Sequence, residues 1–294
     1  MAVQLTTLEP PRTATQLMMA DDDTVHLTRP HPRGRAYACA NDAAAAIRER
    51  FGVDTISTGL ILGTGWGAAL EAWGAPEAEA PMHEIPGFMS PTTVGQPGLV
   101  RLYHVDGVPT LVMVGRTHLF EGHGCVPVVH PVRVLGALGA RSLILTGVSG
   151  TFHPQWPLGQ VVAIKDHLNL SWVSPFPDNI TVDLSQVYDP ALRERVVSLD
   201  PNIVSGVFAM FSGRTYETVT EAYAAKNYGA DLVGMSTVLE AIAAVEYGFR
   251  TLGLSVVTMH ESGGGEIDQS SVVAIAEAAA RRCSPLLRAL VAGS

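Results

Sequence analysis

The chain has 294 residues, with 19 Lys+Arg against 28 Asp+Glu for a net charge of −9, 47% hydrophobic residues and a mean hydropathy of +0.22. That balance argues against a nucleic-acid partner, which needs a basic face, and no apolar run approaches the roughly 20 residues of a membrane span. Three widely spaced cysteines, Cys39, Cys125 and Cys283, fit reduced thiols in the cytoplasm better than a disulfide framework. No cationic region followed by an apolar one opens the chain, so export is not expected. Neither CxxC nor HExxH occurs, and His118 to His123 has the wrong spacing for a zinc helix, so no metal is expected.

Residues 1–35, with Pro10-Pro11 and Asp21-Asp22-Asp23, lack periodicity and read as an irregular arm, leaving 36–294 as one domain without repeat or linker. A helix over 41–50 opens the ordered part. A strand over 58–62 then runs into a helix over 66–73. Strands over 99–103 and 110–114, turning at Asp106-Gly107, read as a hairpin. There follow a helix over 127–138, strands over 142–146 and 160–164, a helix over 190–197, a strand over 205–210 and a helix over 220–227. A strand over 231–233, a helix over 237–247, a strand over 251–257 and a helix over 269–291 complete the order. This alternation predicts an α/β domain around a mixed sheet covered by helices on both faces.

In such folds ligands gather at the carboxyl ends of strands. Four of these ends are unusual. At Gly63-Thr64-Gly65-Trp66-Gly67 a strand passes through glycines into a helix, which lets backbone N–H groups converge on an anion, although a ligand-free tight turn has the same pattern. Arg116 and His118, two residues apart where cations are scarce, suit an oxyanion, most economically phosphate. The alternative is a loop arginine beside a surface histidine. Thr146-Gly147-Val148-Ser149-Gly150 exposes backbone groups, and Gly234-Met235-Ser236-Thr237 leads into a helix that either hydroxyl could simply cap. Tyr216 beside Glu217 suits a heterocycle, by stacking and hydrogen bonding, or else Glu217 is an ordinary helix-start carboxylate. A strand ends at Thr258-Met259-His260-Glu261, and the following Ser262-Gly-Gly-Gly265 reads as a lid or hinge.

Taken together these motifs resemble the trimeric purine nucleoside phosphorylase family, which includes the methylthioadenosine phosphorylases. The resemblance runs from about residue 40 to the C-terminus through Gly63–Gly67, Ile85-Pro-Gly-Phe88, Gly115-Arg-Thr-His-Leu-Phe-Glu-Gly122, Lys165-Asp-His-Leu-Asn-Leu170, Gly213-Arg-Thr-Tyr-Glu-Thr218 and Gly229–Thr237. It implies a partly barrel-like sheet, a homotrimer and reversible phosphorolysis of a nucleoside N-glycosidic bond, with inorganic phosphate as co-substrate and no cofactor. By the same resemblance Thr64, Arg116, His118, Ser236 and the Val148 amide would surround phosphate. Met235 would lie under the sugar, and Glu217 and Tyr216 would hold the base.

Departures from the family pattern bear on specificity. Gln96 stands where the family has a phosphate-assisting histidine, and Phe120 replaces a tyrosine near the sugar. Thr258-Met259 replaces a Thr-Asn pair whose asparagine contacts the purine, and Gln269 falls near a histidine at the sugar 5′ end. The expectation is therefore a nucleoside phosphorylase with altered base or 5′ specificity. Its competitors are an ordinary 6-oxopurine enzyme, a phosphorylase for 5′-modified or pyrimidine nucleosides, and a non-catalytic nucleoside-binding relative.

Overall fold

The computed structural model describes residues 32–176, 180–261 and 268–293. Most of the expected arm and the Ser262–Gly265 segment lie outside the described residues.

Helix α1 (Pro32–Phe51) begins nine residues before the predicted helix and takes residues 32–35 from the expected arm. Its apolar stripe explains the extension: Ala36, Ala40, Ala43, Ala44, Ile47 and Phe51 recur at helical spacing and are all buried. Pro32 costs little in a first turn, where its N–H would be unpaired anyway.

Strand β1 (Thr58–Leu62) is buried along its whole length and is followed by a 3₁₀ segment, Trp66–Trp73, where an α-helix was predicted. Bonds from Trp66 N–H to the Gly63 carbonyl and from Ala68 N–H to the Gly65 carbonyl close the tighter turns, and the Ala69 carbonyl accepts from the Ser284 hydroxyl. The short β2 (Ala78–Pro81) was not foreseen. It is an edge strand on β3 (Leu99–Val105), which forms the expected hairpin with β4 (Val108–Val114). Asp106 and Gly107 adopt φ of 51° and 85°, so both central residues carry the positive φ that a two-residue hairpin turn favours.

After α2 (Cys125–Ala137) come β5 (Ser142–Thr151), β6 (Val161–Asn169), α3 (Pro190–Leu199), β7 (Val204–Met210), α4 (Val219–Asn227) and β8 (Leu232–Gly234). The chain ends with α5 (Val238–Val245), β9 (Arg250–His260) and α6 (Gln269–Ala292). The nine strands run in the order β2-β3-β4-β1-β5-β8-β7-β6-β9, and β9 also pairs with β5. That second pairing closes β5, β8, β7, β6 and β9 on themselves and leaves β2, β3, β4 and β1 as an open wing, matching the mixed, partly barrel-like sheet.

Closure also corrects three strand lengths. Residues 147–150, read as an exposed small-residue loop, continue β5 in parallel register with β9, and β6 and β9 run on to Asn169 and His260. Between Ser149 and Gly150 the register slips: Ser149 faces Val257 but Gly150 faces Met259, so Thr258 is a bulge residue. A bulge re-aims its neighbours. Here it brings the consecutive residues Thr258 and Met259 to one cavity, which simple alternation along a strand would forbid.

Replacing Gly107 by alanine forces a β-carbon into the left-handed region. The expected cost is about 1 kcal/mol, seen as a fall in Tm of about 2 °C with no change in ligand binding at the distant strand ends.

Candidate active site

A cavity of about 420 Å³ opens where β1, β5, β8 and β9 end. Every predicted site residue lines it except Arg116 and Gln96: Thr64, His118, Phe120, Val148, Tyr216, Glu217, Met235, Ser236, Thr258, Met259 and Gln269.

Local geometry explains one end of it. The Gly63 N–H donates to Thr146 Oγ1 at 3.2 Å and Trp66 Nε1 donates to the Gly147 carbonyl at 2.8 Å, which zips the β1 turn to β5. A β-carbon on Gly63 would meet the Thr146 carbonyl oxygen at 2.8 Å, so this approach needs glycine. From the other side Ser236 Oγ and Thr237 Oγ1 lie over the bare Cα of Gly147, each 3.4 Å from where a β-carbon would stand. Neither is used as a helix cap: Thr237 precedes α5 without a side-chain bond to its N–H groups. The capping alternative for these hydroxyls therefore fails, and Ser236 remains available beside a helix N-terminus, a favourable place for an anion.

Arg116 differs from the expectation. Its guanidinium is 1% exposed and does not face the cavity. Nη2 donates to the carbonyls of Ile61, at 2.9 Å, and Thr146; Nη1 donates to Thr237 Oγ1 at 3.2 Å and lies 3.0 Å from the fully buried Glu240 carboxylate. Burial lowers its pKa, with Glu240 opposing. The arginine sits one hydroxyl behind the cavity wall, since Thr237 Oγ1 is in turn 3.2 Å from Ser236 Oγ. Gln96 is also a second-row group: Nε2 donates to Thr64 Oγ1 at 3.1 Å and Oε1 accepts the Arg116 backbone N–H at 2.7 Å. Both residues brace those that line the cavity: the terminal nitrogens of Arg116 and both amide atoms of Gln96 are engaged by protein groups.

His118 does reach the cavity, and Glu121 fixes its orientation. Glu121 accepts from the His118 backbone N–H at 2.7 Å and lies 3.3 Å from Nδ1. Burial would raise the Glu121 pKa, but hydrogen bonds from His118 and Thr92 outweigh it and hold the carboxyl at about 2. A carboxylate on Nδ1 favours the proton there and leaves Nε2 for a ligand. The imidazole stacks on Phe120 at 4.7 Å, and the Arg214 guanidinium lies over the Phe120 ring, 5.6 Å from its centroid.

At the opposite end Glu217 Oε1 is buried with no hydrogen-bond partner among the described residues. Burial above all, reinforced by Glu261 and Glu221, raises its pKa to about 7. Tyr216 accepts from Gln269 Nε2 at 2.8 Å, which ties the 212–218 loop to the start of α6. Sequence reasoning assigned no site role to three residues here. Arg214 and Glu261 line the cavity as the nearest charged neighbours of residues that were singled out. Thr237 holds φ of 77°, an outlying conformation for a β-branched residue, maintained by the Arg116 bond and by its burial.

The profile of the phosphorylase superfamily matches residues 57–292. A purine nucleoside phosphorylase of Cellulomonas sp is 42% identical over 263 residues, covering 87% of this chain and 93% of the relative. One from Mycobacterium tuberculosis is 40% identical, covering 89% and 98%. Among solved structures, isoform 2 of a Schistosoma mansoni purine nucleoside phosphorylase, in complex with cytosine and ribose-1-phosphate, superposes with a TM-score of 0.76 at 29% identity, over 87% of this chain and 96% of that one.

The depressed Glu121 pKa sets a pH dependence. Its contribution to stability is complete above the ordinary carboxylate range, near 4.3, and is lost as pH falls toward about 2. Glu121→Gln should therefore lower the denaturation midpoint at pH 7, and the gap from the parent protein should narrow at pH 3. A gap independent of pH would contradict the assignment.

Proposed function

The chain belongs to the phosphorylase superfamily, and from that premise we propose that it is a nucleoside phosphorylase, cleaving an N-glycosidic bond reversibly to free base and pentose 1-phosphate. The observation that carries this reading is the single cavity with hydroxyls, an amide and an imidazole at one end and an unpartnered buried carboxyl at the other. Inorganic phosphate would lie between Thr64, Ser236, the Val148 amide and His118. Arg116 would act from behind, polarising the Thr237 hydroxyl toward Ser236 and holding the strand ends in place. Phe120 and Met235 would flank the sugar, with Glu217 and Tyr216 on the base.

The chemistry needs no protein nucleophile. Phosphate attacks C1′ as the base departs, and the transition state carries positive charge on the sugar, as in other glycosyl transfers. An anion beneath C1′ supplies the nucleophile and stabilises that charge, so catalysis rests on positioning and electrostatics. Met259 and Phe120 favour a base or 5′ specificity shifted from that of an ordinary 6-oxopurine enzyme. Neither has the hydrogen-bonding group of the residue it replaces in the family pattern. We read the protein as a homotrimer on the family resemblance, and as cytoplasmic on its free Cys39, Cys125 and Cys283.

Base release from inosine, adenosine, uridine and 5′-modified analogues should depend strictly on phosphate and yield the sugar 1-phosphate. Cleavage at equal rate without phosphate contradicts the reading, as does no cleavage of any of them, which points to a non-catalytic relative. Inosine as by far the best substrate would leave the phosphorylase assignment intact but remove the altered specificity. Ser236→Ala removes one direct hydrogen bond to a charged ligand, worth about 1.5–3 kcal/mol. The KM for phosphate should rise at least about tenfold, with a smaller change in the KM for nucleoside.

A further inference from the structure

The base end of the cavity holds two carboxyls. Glu261 lines it together with Glu217, and its position is built by the strand pairing. Its backbone N–H donates to the Thr151 carbonyl at 2.8 Å, which prolongs the β5–β9 ladder by one residue. Met259 and Glu261 therefore share a face, while His260 between them turns outward and bonds the Trp156 carbonyl at 2.8 Å. The carboxyl fills the space over Gly150: a β-carbon there would stand 2.3 Å from Glu261 Oε1. Gly150 lies two residues beyond Val148 on β5, roughly 7 Å along the strand. That separation sets Glu261 one sugar's breadth from the proposed phosphate amide.

A base that leaves with the bonding electron pair needs a proton or a strong hydrogen bond on a ring nitrogen. Few groups at this end can give one. Met259 has no donor, and the Thr258 hydroxyl is directed to the Ser149 carbonyl at 3.4 Å. The Tyr216 hydroxyl accepts from Gln269 and the Arg214 guanidinium lies over Phe120; a phenol and a guanidinium can offer a hydrogen bond but are weak acids. Among the described residues two carboxyls remain as groups acidic enough to hand over a proton. Among the described residues the titratable and charged side chains lining the cavity are His118, Arg214, Tyr216, Glu217 and Glu261, and Glu221 on α4 adds its field to Glu217. Like charges so placed resist double ionisation, and burial raises the pKa of both Glu217 and Glu261. In the empty cavity Glu217, whose pKa burial raises to about 7, holds a proton part of the time near neutrality; a base N–H donating to Glu217 favours its carboxylate form and shifts the shared proton toward Glu261.

Resting on the phosphorylase reading, we propose that Glu261 is the general acid for the departing base, while Glu217 in its carboxylate form accepts from the base's opposite edge. The C1′–N bond breaks with its electron pair passing to the base, the Glu261 carboxyl proton moves to a base ring nitrogen, and a phosphate oxygen forms the C1′–O bond. Glu261 is left as a carboxylate and regains its proton from water on product release. The ligand class this pair selects is a heterocycle with an N–H or amino edge opposite a basic ring nitrogen.

The test compares two substrates with the full-length protein and inorganic phosphate. One is whichever of inosine, adenosine or uridine is cleaved fastest; the other is 4-nitrophenyl riboside, whose nitrophenolate leaves without a proton. Glu261→Ala should lower kcat/KM for the nucleoside about 100-fold, within the usual range for a general acid, and that for the nitrophenyl riboside less than about threefold. Glu261→Gln, which preserves shape and a hydrogen-bond donor, should retain part of the nucleoside rate and lose the fall in rate at alkaline pH that the parent protein shows. Equal losses on both substrates, an unchanged nucleoside rate, or an alkaline limb that survives in Glu261→Gln would overturn the proposal while leaving the phosphorylase reading standing. A parent protein inert toward every substrate would overturn both.

Discussion

One buried guanidinium holds the site together. Arg116 bonds the Ile61 carbonyl on β1, the Thr146 carbonyl on β5 and the Thr237 hydroxyl ahead of α5, and its own backbone N–H is held by Gln96, which also grips Thr64. These are the pieces that converge on the cavity. The charge that makes this possible is costly to bury, and Glu240 compensates it from 3.0 Å with no aligned hydrogen bond; Arg116 Nε and both Glu240 oxygens lack a hydrogen-bond partner among the described residues. Removing one member of such a pair commonly costs about 3–5 kcal/mol, because the other is left buried and unpaired. The pair is a bracket whose value is geometric. It also sustains the positive φ of Thr237, a strain that persists only where the surroundings over-determine it.

What was legible in the sequence was local. The hairpin at Asp106-Gly107 follows from two apolar runs and a turn that tolerates positive φ. Glycine-marked strand ends pointed to one cavity because backbones approach closely only where β-carbons are absent, as at Gly63 against Thr146. The continuation of β5 through residues 147–150 was not legible. Thr-Gly-Val-Ser-Gly has the composition of a loop, and only its pairing with β9, more than a hundred residues away, makes it strand. Arg116 shows the same limit. The argument from scarce cations located the residue correctly in the fold, but not the direction of its side chain, which a glutamate on α5 determines. Glu261 was read only as part of a polar strand end, because the face it takes depends on a β-bulge at Thr258, and a bulge has no signature in a run of Val, Thr and Met.

The two ends of the cavity use opposite electrostatic devices. At the end proposed for phosphate a charge is present but neutralised in place, so an incoming anion would meet hydroxyls, an amide and His118 rather than a bare arginine. Neutral donors backed by a compensated ion pair bind an anion less tightly than an exposed guanidinium would, yet they fix it more rigidly, since every donor is already tied to a strand end. For a reaction whose nucleophile must also be released as part of a product, rigid placement at moderate affinity serves turnover better than tight capture.

At the base end two carboxyls face one another's field without a compensating cation bonded to either among the described residues. That arrangement opposes stability, because each additional negative charge in a partly buried space raises the cost of the next. A fold that needed only a plug there could have used an apolar side chain, as it does at Met259 and Val272 in the lining of the same cavity. The sheet instead keeps Gly150 bare so that a second carboxyl can occupy its face. Retaining a destabilising pair at the mouth of a cavity, on a backbone arranged to admit it, is the pattern expected where a group must exchange a proton at neutral pH.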